Sequence, residues 1–181
     1  VDVKIFLMGH AFVSPDEPAR VDFILPKRFA ICEDTEKACR NRWTTTKHWR
    51  EQMHADTILF EPNEHFTTIM KLYPHFFCGV AKNGCRVYYE RPGELDLKQM
   101  KQHGIGIPEM LEHWLFINEY QYRVLSEDPT GCDEARAITI IDVDGVSMGS
   151  VLWGGDAMTF LKKTISIAGA HYPERSMTVC L

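Results

Sequence analysis

The sequence predicts an α/β fold: a mixed, largely parallel sheet flanked by helices, with a small N-terminal helical segment before it. Three observations carry this. Ala137-Ile138-Thr139-Ile140-Ile141 is an apolar, β-branched run that stops at Asp142 and Gly145, the pattern of a buried strand emptying into a loop. Arg86-Val87-Tyr88-Tyr89-Glu90 is a second strand-like run. Helix-period segments lie before, between and after them. The resulting order of helices, strand, helix, strand, helix and strand is what right-handed crossovers between parallel strands produce.

Along the chain, Val1, Val3, Ile5 and Leu7 alternate as in a short strand, and Ser14-Pro15-Asp16-Glu17-Pro18 is turn material. Asp34 or Thr35 can cap a helix carrying Ala38, Trp43 and Trp49. Glu61-Pro62-Asn63 breaks the pattern, and residues 64–73 form a short helix that Pro74 ends. Lys82-Asn83-Gly84 is a hairpin-like or loop turn before the 86–90 strand. Pro108 suits the first turn of a helix over 107–126, whose apolar face is Met110, Leu111, Trp114, Leu115, Tyr122 and Leu125. Residues 126–136 are a loop and 137–142 a strand. A helix over about 156–170 is expected to turn Met158, Leu161, Ile165 and Ala168 inward, and 177–181 to be strand.

Composition narrows the function classes. The chain has 181 residues, 45% of them hydrophobic, enough for one domain. Net charge is -5 with both signs interspersed, so no basic stripe points to nucleic acid. No run approaches the ~18 apolar residues of a spanning helix, and no signal-peptide pattern is present. The chain opens on Val1 rather than Met, the expectation for a fragment. Six cysteines are scattered without a Cys-x-x-Cys pair, which fits reduced thiols and a cytoplasmic setting. The histidines lack zinc-site spacing, so no metal and no cofactor is expected.

Asp142-Val143-Asp144-Gly145 after a buried strand has a second reading. A Mg-dependent aspartyl phosphatase uses such a motif, with Asp142 as nucleophile and Asp144 as acid/base. Position argues against it. Such enzymes carry the motif on their first strand, followed by a Lys and a later acidic pair. Here little chain follows, and Lys162 and Lys163 read as a solvated helix face. The expected answer is that the protein is not an enzyme.

Several pieces in order favour another family. Ala38-x-x-x-Arg42-Trp43-x-x-Thr46-x-x-Trp49-Arg50, Asp56-Thr57-Ile58-Leu59, Tyr73-Pro74 before an aromatic pair, Val87-Tyr88-Tyr89-Glu90, Ile140-Ile141-Asp142-Val143-x-Gly145 and Tyr172-Pro173-Glu174-Arg175 together resemble a CRAL-TRIO domain of the phosphatidylinositol/phosphatidylcholine transfer branch. The resemblance divides the chain into an unassigned segment 1–22, a partial N-terminal helical bundle 23–60, and a lipid-binding lobe 61–181. It implies a pocket for one lipid molecule, floored by the sheet and closed by a gate helix. The family places a further strand and that gate helix after the tetrapeptide. The chain stops six residues past Arg175, so the lobe is expected to be incomplete at its C-terminus and to expose an apolar groove.

The resemblance also implies residue roles. Glu174 sits where the family places a headgroup-contacting carboxylate, with Lys27 and Arg28 as the nearby basic pair for a phosphodiester. Tyr88 and Thr139 complete the headgroup set. The positions where a choline lipid would need hydroxyls are Ala137 and Phe77, which cannot donate a hydrogen bond. Phosphatidylinositol is therefore the expected ligand. Val87, Trp114, Phe116, Ile138 and Ile140, with Val146, could wall the acyl chains, although plain core is the preferred reading of each. The implied activity is binding and intermembrane transfer, or presentation, of a single lipid by a monomer in transient contact with a membrane surface. A non-transferring adaptor lobe of a larger signalling protein is the alternative.

Overall fold

The computed structural model describes residues 25–125, 136–146 and 155–181. The strand expected over residues 1–7, the turn over 14–18 and most of the 126–136 loop lie outside the described residues.

The elements run in the order α1 (Lys27–Ala30), α2 (Glu36–Gln52), a 3-10 turn (Ile58–Phe60), α3 (Phe66–Leu72), β1 (His75–Val80), β2 (Arg86–Glu90), a 3-10 turn (Pro92–Glu94), α4 (Leu97–Gln102), α5 (Ile107–Tyr120), β3 (Ala137–Ile141), α6 (Asp156–His171) and β4 (Ser176–Cys180). Local chemistry accounts for the helix starts. Thr35 caps α2 by accepting from the Ala38 amide, and Asp96 caps α4 by accepting from Gln99. Pro108 lies in the first turn of α5, where Glu109 reaches back to the Gly106 amide. The α5 helix continues into a π turn, Gln121–Leu125.

The sheet order is β1-β2-β3-β4. β2, β3 and β4 are parallel neighbours, with Tyr88 beside Thr139 and Thr139 beside Val179. β1 joins them antiparallel through a hairpin. This strand is absent from the sequence expectation. Its alternation is broken by a bulge between Phe77 and Gly79, and Gly79 has a φ of 124°, which hides the two-residue period. The hairpin turn is the anticipated Asn83-Gly84, with Gly84 at φ 83° and Asn83 accepting from the Cys85 amide.

Two apolar clusters form the core. One joins Ile69, Leu72, Met100, Ile105, Met110 and Phe160. The other joins Ala55, Ile58, Leu115, Tyr122 and Tyr172. Trp114 packs against both. The expected inward face of α6 needs correction. Leu161 is 47% and Ile165 62% exposed, whereas Phe160 and Thr164 are buried. Thr164 can be buried because its hydroxyl donates to the Leu161 carbonyl within the helix. The described cysteines are free thiols. Among the described residues, no helix is long and apolar enough to cross a membrane.

Candidate functional site

The sheet's period of two sorts the expected site residues onto opposite faces. Tyr88 points at α5, beside Met110, His113, Trp114 and Ile117. Thr139, its neighbour across the parallel ladder, shares that face. Val87, Ile138 and Ile140 alternate to the other face, together with Tyr89, whose ring lies 5.1 Å from Phe76. Trp114 and Phe116 belong to α5. The proposed acyl-wall residues are thus divided between the two faces.

On the α5 side, an apolar groove of about 710 Å³ runs between the 58–70 segment, β1 and α5. Leu59, Phe66, Met70, Phe77, Phe116 and Tyr120 line it. Its aromatic rings touch: Phe66 and Phe116 are 5.8 Å apart edge to face, and Phe77 lies 5.3 Å from Tyr88. Phe116 sits in a groove wall, and Phe77 beside it adds no hydroxyl.

A buried polar relay unseen in the sequence leads from this groove. The Tyr73 carbonyl can only accept, so His75 Nδ1, 2.7 Å away, carries that ring's proton. His75 Nε2 then accepts from His113 Nε2 at 2.9 Å. His113 Nδ1 in turn accepts from the Asn63 amide at 3.3 Å. Both rings are neutral. Burial, with the neighbouring His75, pushes His113 down to about 3, and burial also lowers His75. The Tyr73 phenol donates to Glu90 Oε2 at 2.9 Å. Burial raises the Glu90 carboxyl, opposed by hydrogen bonds from Tyr73 and Tyr88. Residues 75 and 113 come from different elements, and no spacing in the chain links them.

The Tyr-Pro-Glu-Arg tetrapeptide divides its tasks. Tyr172 is buried and donates to Glu119 Oε1 at 2.5 Å. Glu119, also buried, is clasped by both terminal nitrogens of Arg50 at 2.9 Å. Arg175 is buried with its guanidinium 3.9 Å from the Tyr122 ring centre. Glu174 alone faces out, at φ 57°, and accepts from Arg136 at 3.2 Å. Lys27 is exposed on α1. Arg28 is buried, and its charge, like that of Arg175, acts on the Tyr122 phenol. The structure thus gathers Arg28, Tyr122 and Arg175, while Tyr88 and Thr139 stand mid-sheet.

The acidic motif after β3 is internally engaged. Asp142 accepts from the Tyr89 phenol at 2.6 Å and from the Asp144 amide at 3.0 Å, and pairs with Arg91 at 3.4 Å. These donors hold its carboxyl below the ordinary range. Val146 lies at the rim of a second cleft, of about 370 Å³, between the end of β2 and α6. Among the described residues no group of three or more His, Cys, Asp or Glu side chains is placed to hold a metal ion.

Comparison with known proteins agrees with this architecture. The profile of the family described as CRAL/TRIO domain matches residues 70–181. The Sec14 cytosolic factor of Schizosaccharomyces pombe is 26% identical over 168 residues, covering 88% of this chain and 54% of that protein. The phosphatidylinositol/phosphatidylcholine transfer protein SFH4 of Arabidopsis thaliana is 31% identical over 141 residues, covering 73% of this chain and 22% of that protein. The crystal structure of Sfh5 superimposes with a TM-score of 0.63 at 17% identity, over 84% of this chain and 51% of that one, a likeness of fold. The chain spans about half the length of the first of these curated relatives.

Proposed function

The chain belongs to the CRAL/TRIO domain family, and from that premise we propose that it binds a single phospholipid, phosphatidylinositol, and carries or presents it without chemical turnover. The groove of about 710 Å³ along α5 carries this reading. Its volume lies within the usual range of ligand cavities, about 300–1,000 Å³, and its wall is dominated by aromatic and aliphatic side chains. Two relatives support the lipid class by name, as transfer proteins for phosphatidylinositol and phosphatidylcholine.

The inositol preference rests on what the choline-type positions lack. Ala137 and Phe77 offer no hydroxyl to a buried phosphate. Glu174 faces outward beside Arg136, free of the inner packing that occupies Tyr172 and Arg175, and contacts the inositol hydroxyls. Lys27 and Arg28 supply positive charge for the phosphodiester. The engagement of Asp142 by Tyr89, Arg91 and the Asp144 amide supports a structural carboxylate over a nucleophile. A relative titled a cytosolic factor supports a cytoplasmic carrier that meets membranes transiently.

Vesicle-to-vesicle transfer of labelled phosphatidylinositol tests the proposal. Glu174→Ala removes one charged hydrogen bond, worth about 1–3 kcal/mol, and should slow inositol-lipid transfer by one to two decades. The exposed Glu174–Arg136 pair contributes only about 0–1 kcal/mol to the fold, so the variant stays folded. Equal transfer by both proteins would sink the headgroup role. Phosphate release that needs Mg²⁺ and disappears in Asp142→Asn would sink the carrier reading.

A further inference from the structure

We propose that the cleft of about 370 Å³ between the end of β2 and the N-terminal half of α6 is a second ligand site. It takes a single-chain amphiphile whose head donates hydrogen bonds, an alcohol or a protonated amine, and Glu90 receives that head.

The walls are apolar: Leu95, Leu97, Trp114, Val146, Met158 and Phe160. Glu90 and Tyr73 meet at one place in this lining, and the hydroxyl of Thr164 on the α6 side is already spent on the Leu161 carbonyl. Tyr73 donates its phenolic hydrogen to Glu90 Oε2, so at this cleft it has no second proton to give. Glu90 is the one carboxylate among the described lining residues. A carboxylate has about four lone-pair positions, and Tyr73 and Tyr88 occupy two. The remaining two can only accept. A head that donates fills them, and an ammonium also neutralises a charge that burial makes costly. A carboxylate or phosphate head would meet a like charge.

Size sets the tail. The cleft lies near the lower bound of about 300 Å³ for ligand cavities, which suits one chain better than two. Position keeps it separate from the phospholipid groove. Tyr73 and Glu90 line the cleft, whereas Asn63 and His75 line the groove, and between them lie the histidine pair and a cavity of only about 10 Å³. The rim is fixed by Gly93 against Gly145, where two loops meet backbone to backbone.

Calorimetric titration with dodecylamine, dodecanol and dodecanoate below their micelle concentrations tests the site. The amine or the alcohol should bind, and whichever binds tighter identifies the head. Dodecanoate should bind at least about tenfold more weakly, ~1.4 kcal/mol. Glu90→Gln should erase that discrimination. Ala157→Phe fills the cleft from its α6 side without touching the carboxyl network, and should abolish amphiphile binding while leaving phospholipid transfer unchanged. Binding of neither amine nor alcohol, equal binding of dodecanoate, or full binding by Ala157→Phe would overturn the proposal.

Discussion

His75 and His113 face each other across the seam between β1 and α5, Nε2 to Nε2 at 2.9 Å, and the order of hydrogen bonds around them leaves no place for an extra proton. Their folded-state values lie below the ordinary 6.5, with His113 near 3. The unfolded chain therefore takes up protons first as pH falls. The contribution of His113 is complete above about pH 6.5 and is lost on acidification toward about pH 3, with a slope approaching ~1.4 kcal/mol per pH unit, and His75 acts with the same sign. Burial lowers His171 as well, with the same sign. The raised Glu90 acts oppositely, favouring the fold below its own folded value. Urea midpoints at pH 7.5 and 5 should differ, and His113→Gln should flatten the dependence. A midpoint independent of pH would contradict the neutral pair.

Glu119 should be among the least replaceable side chains. It is 3% exposed and receives Arg50 twice and Tyr172 once. Glu119→Ala leaves a largely buried guanidinium half-matched and should cost about 3–5 kcal/mol. Tyr172→Phe deletes one hydrogen bond to a charged group and should cost about 1.5–3 kcal/mol. Denaturant unfolding measures both, and a loss below about 1 kcal/mol for Glu119→Ala would refute the buried pair.

Ligand choice should be adjustable at the choline-type positions. Phe77→Tyr combined with Ala137→Ser supplies two hydroxyls on the α5-facing side of the sheet. Phosphatidylcholine transfer should rise by roughly tenfold, the worth of one to two hydrogen bonds. Unchanged transfer in a folded double variant would mean that headgroup selection lies elsewhere.

Gly93 should not accept a side chain. A Cβ there would run into the Asp144 carbonyl oxygen, a backbone atom that cannot swing away. Gly93→Ala should lower stability by about 1–3 kcal/mol. Circular dichroism melts check this; an unchanged melting temperature would show that the two loops separate freely.

The sequence was most informative where its signal is local. β3 is legible because five apolar or β-branched residues sit between turns, and α5 because its apolar residues recur at helical spacing. Periodicity turns Leu161 and Ile165 of α6 inward because it weighs side-chain hydropathy alone. Thr164 satisfies its own hydroxyl and goes inside, leaving Leu161 and Ile165 outside. β1 was hidden by its bulge. The tetrapeptide announces itself as a motif, but nothing in four letters shows that Tyr172 and Arg175 turn inward and Glu174 outward. The relay of Asn63, His113, His75, Tyr73 and Glu90 is assembled by tertiary contact, so no reading along the chain could join its members.

Arg50 stands on α2, upstream of residue 70, where the family match begins. From the same helix, Arg42 donates to the carbonyls of Gly169 and Ala170 at the end of α6, Thr46 meets His171 at 3.0 Å, and Trp49 stacks on the His171 ring. An excised lobe starting at residue 61 would lose all four partners together. Glu119 would keep its burial without its guanidinium, and the last turn of α6 its carbonyls without a cap. The unit that can be cut out and still fold is therefore longer than the stretch the family profile outlines, and α2 marks the difference.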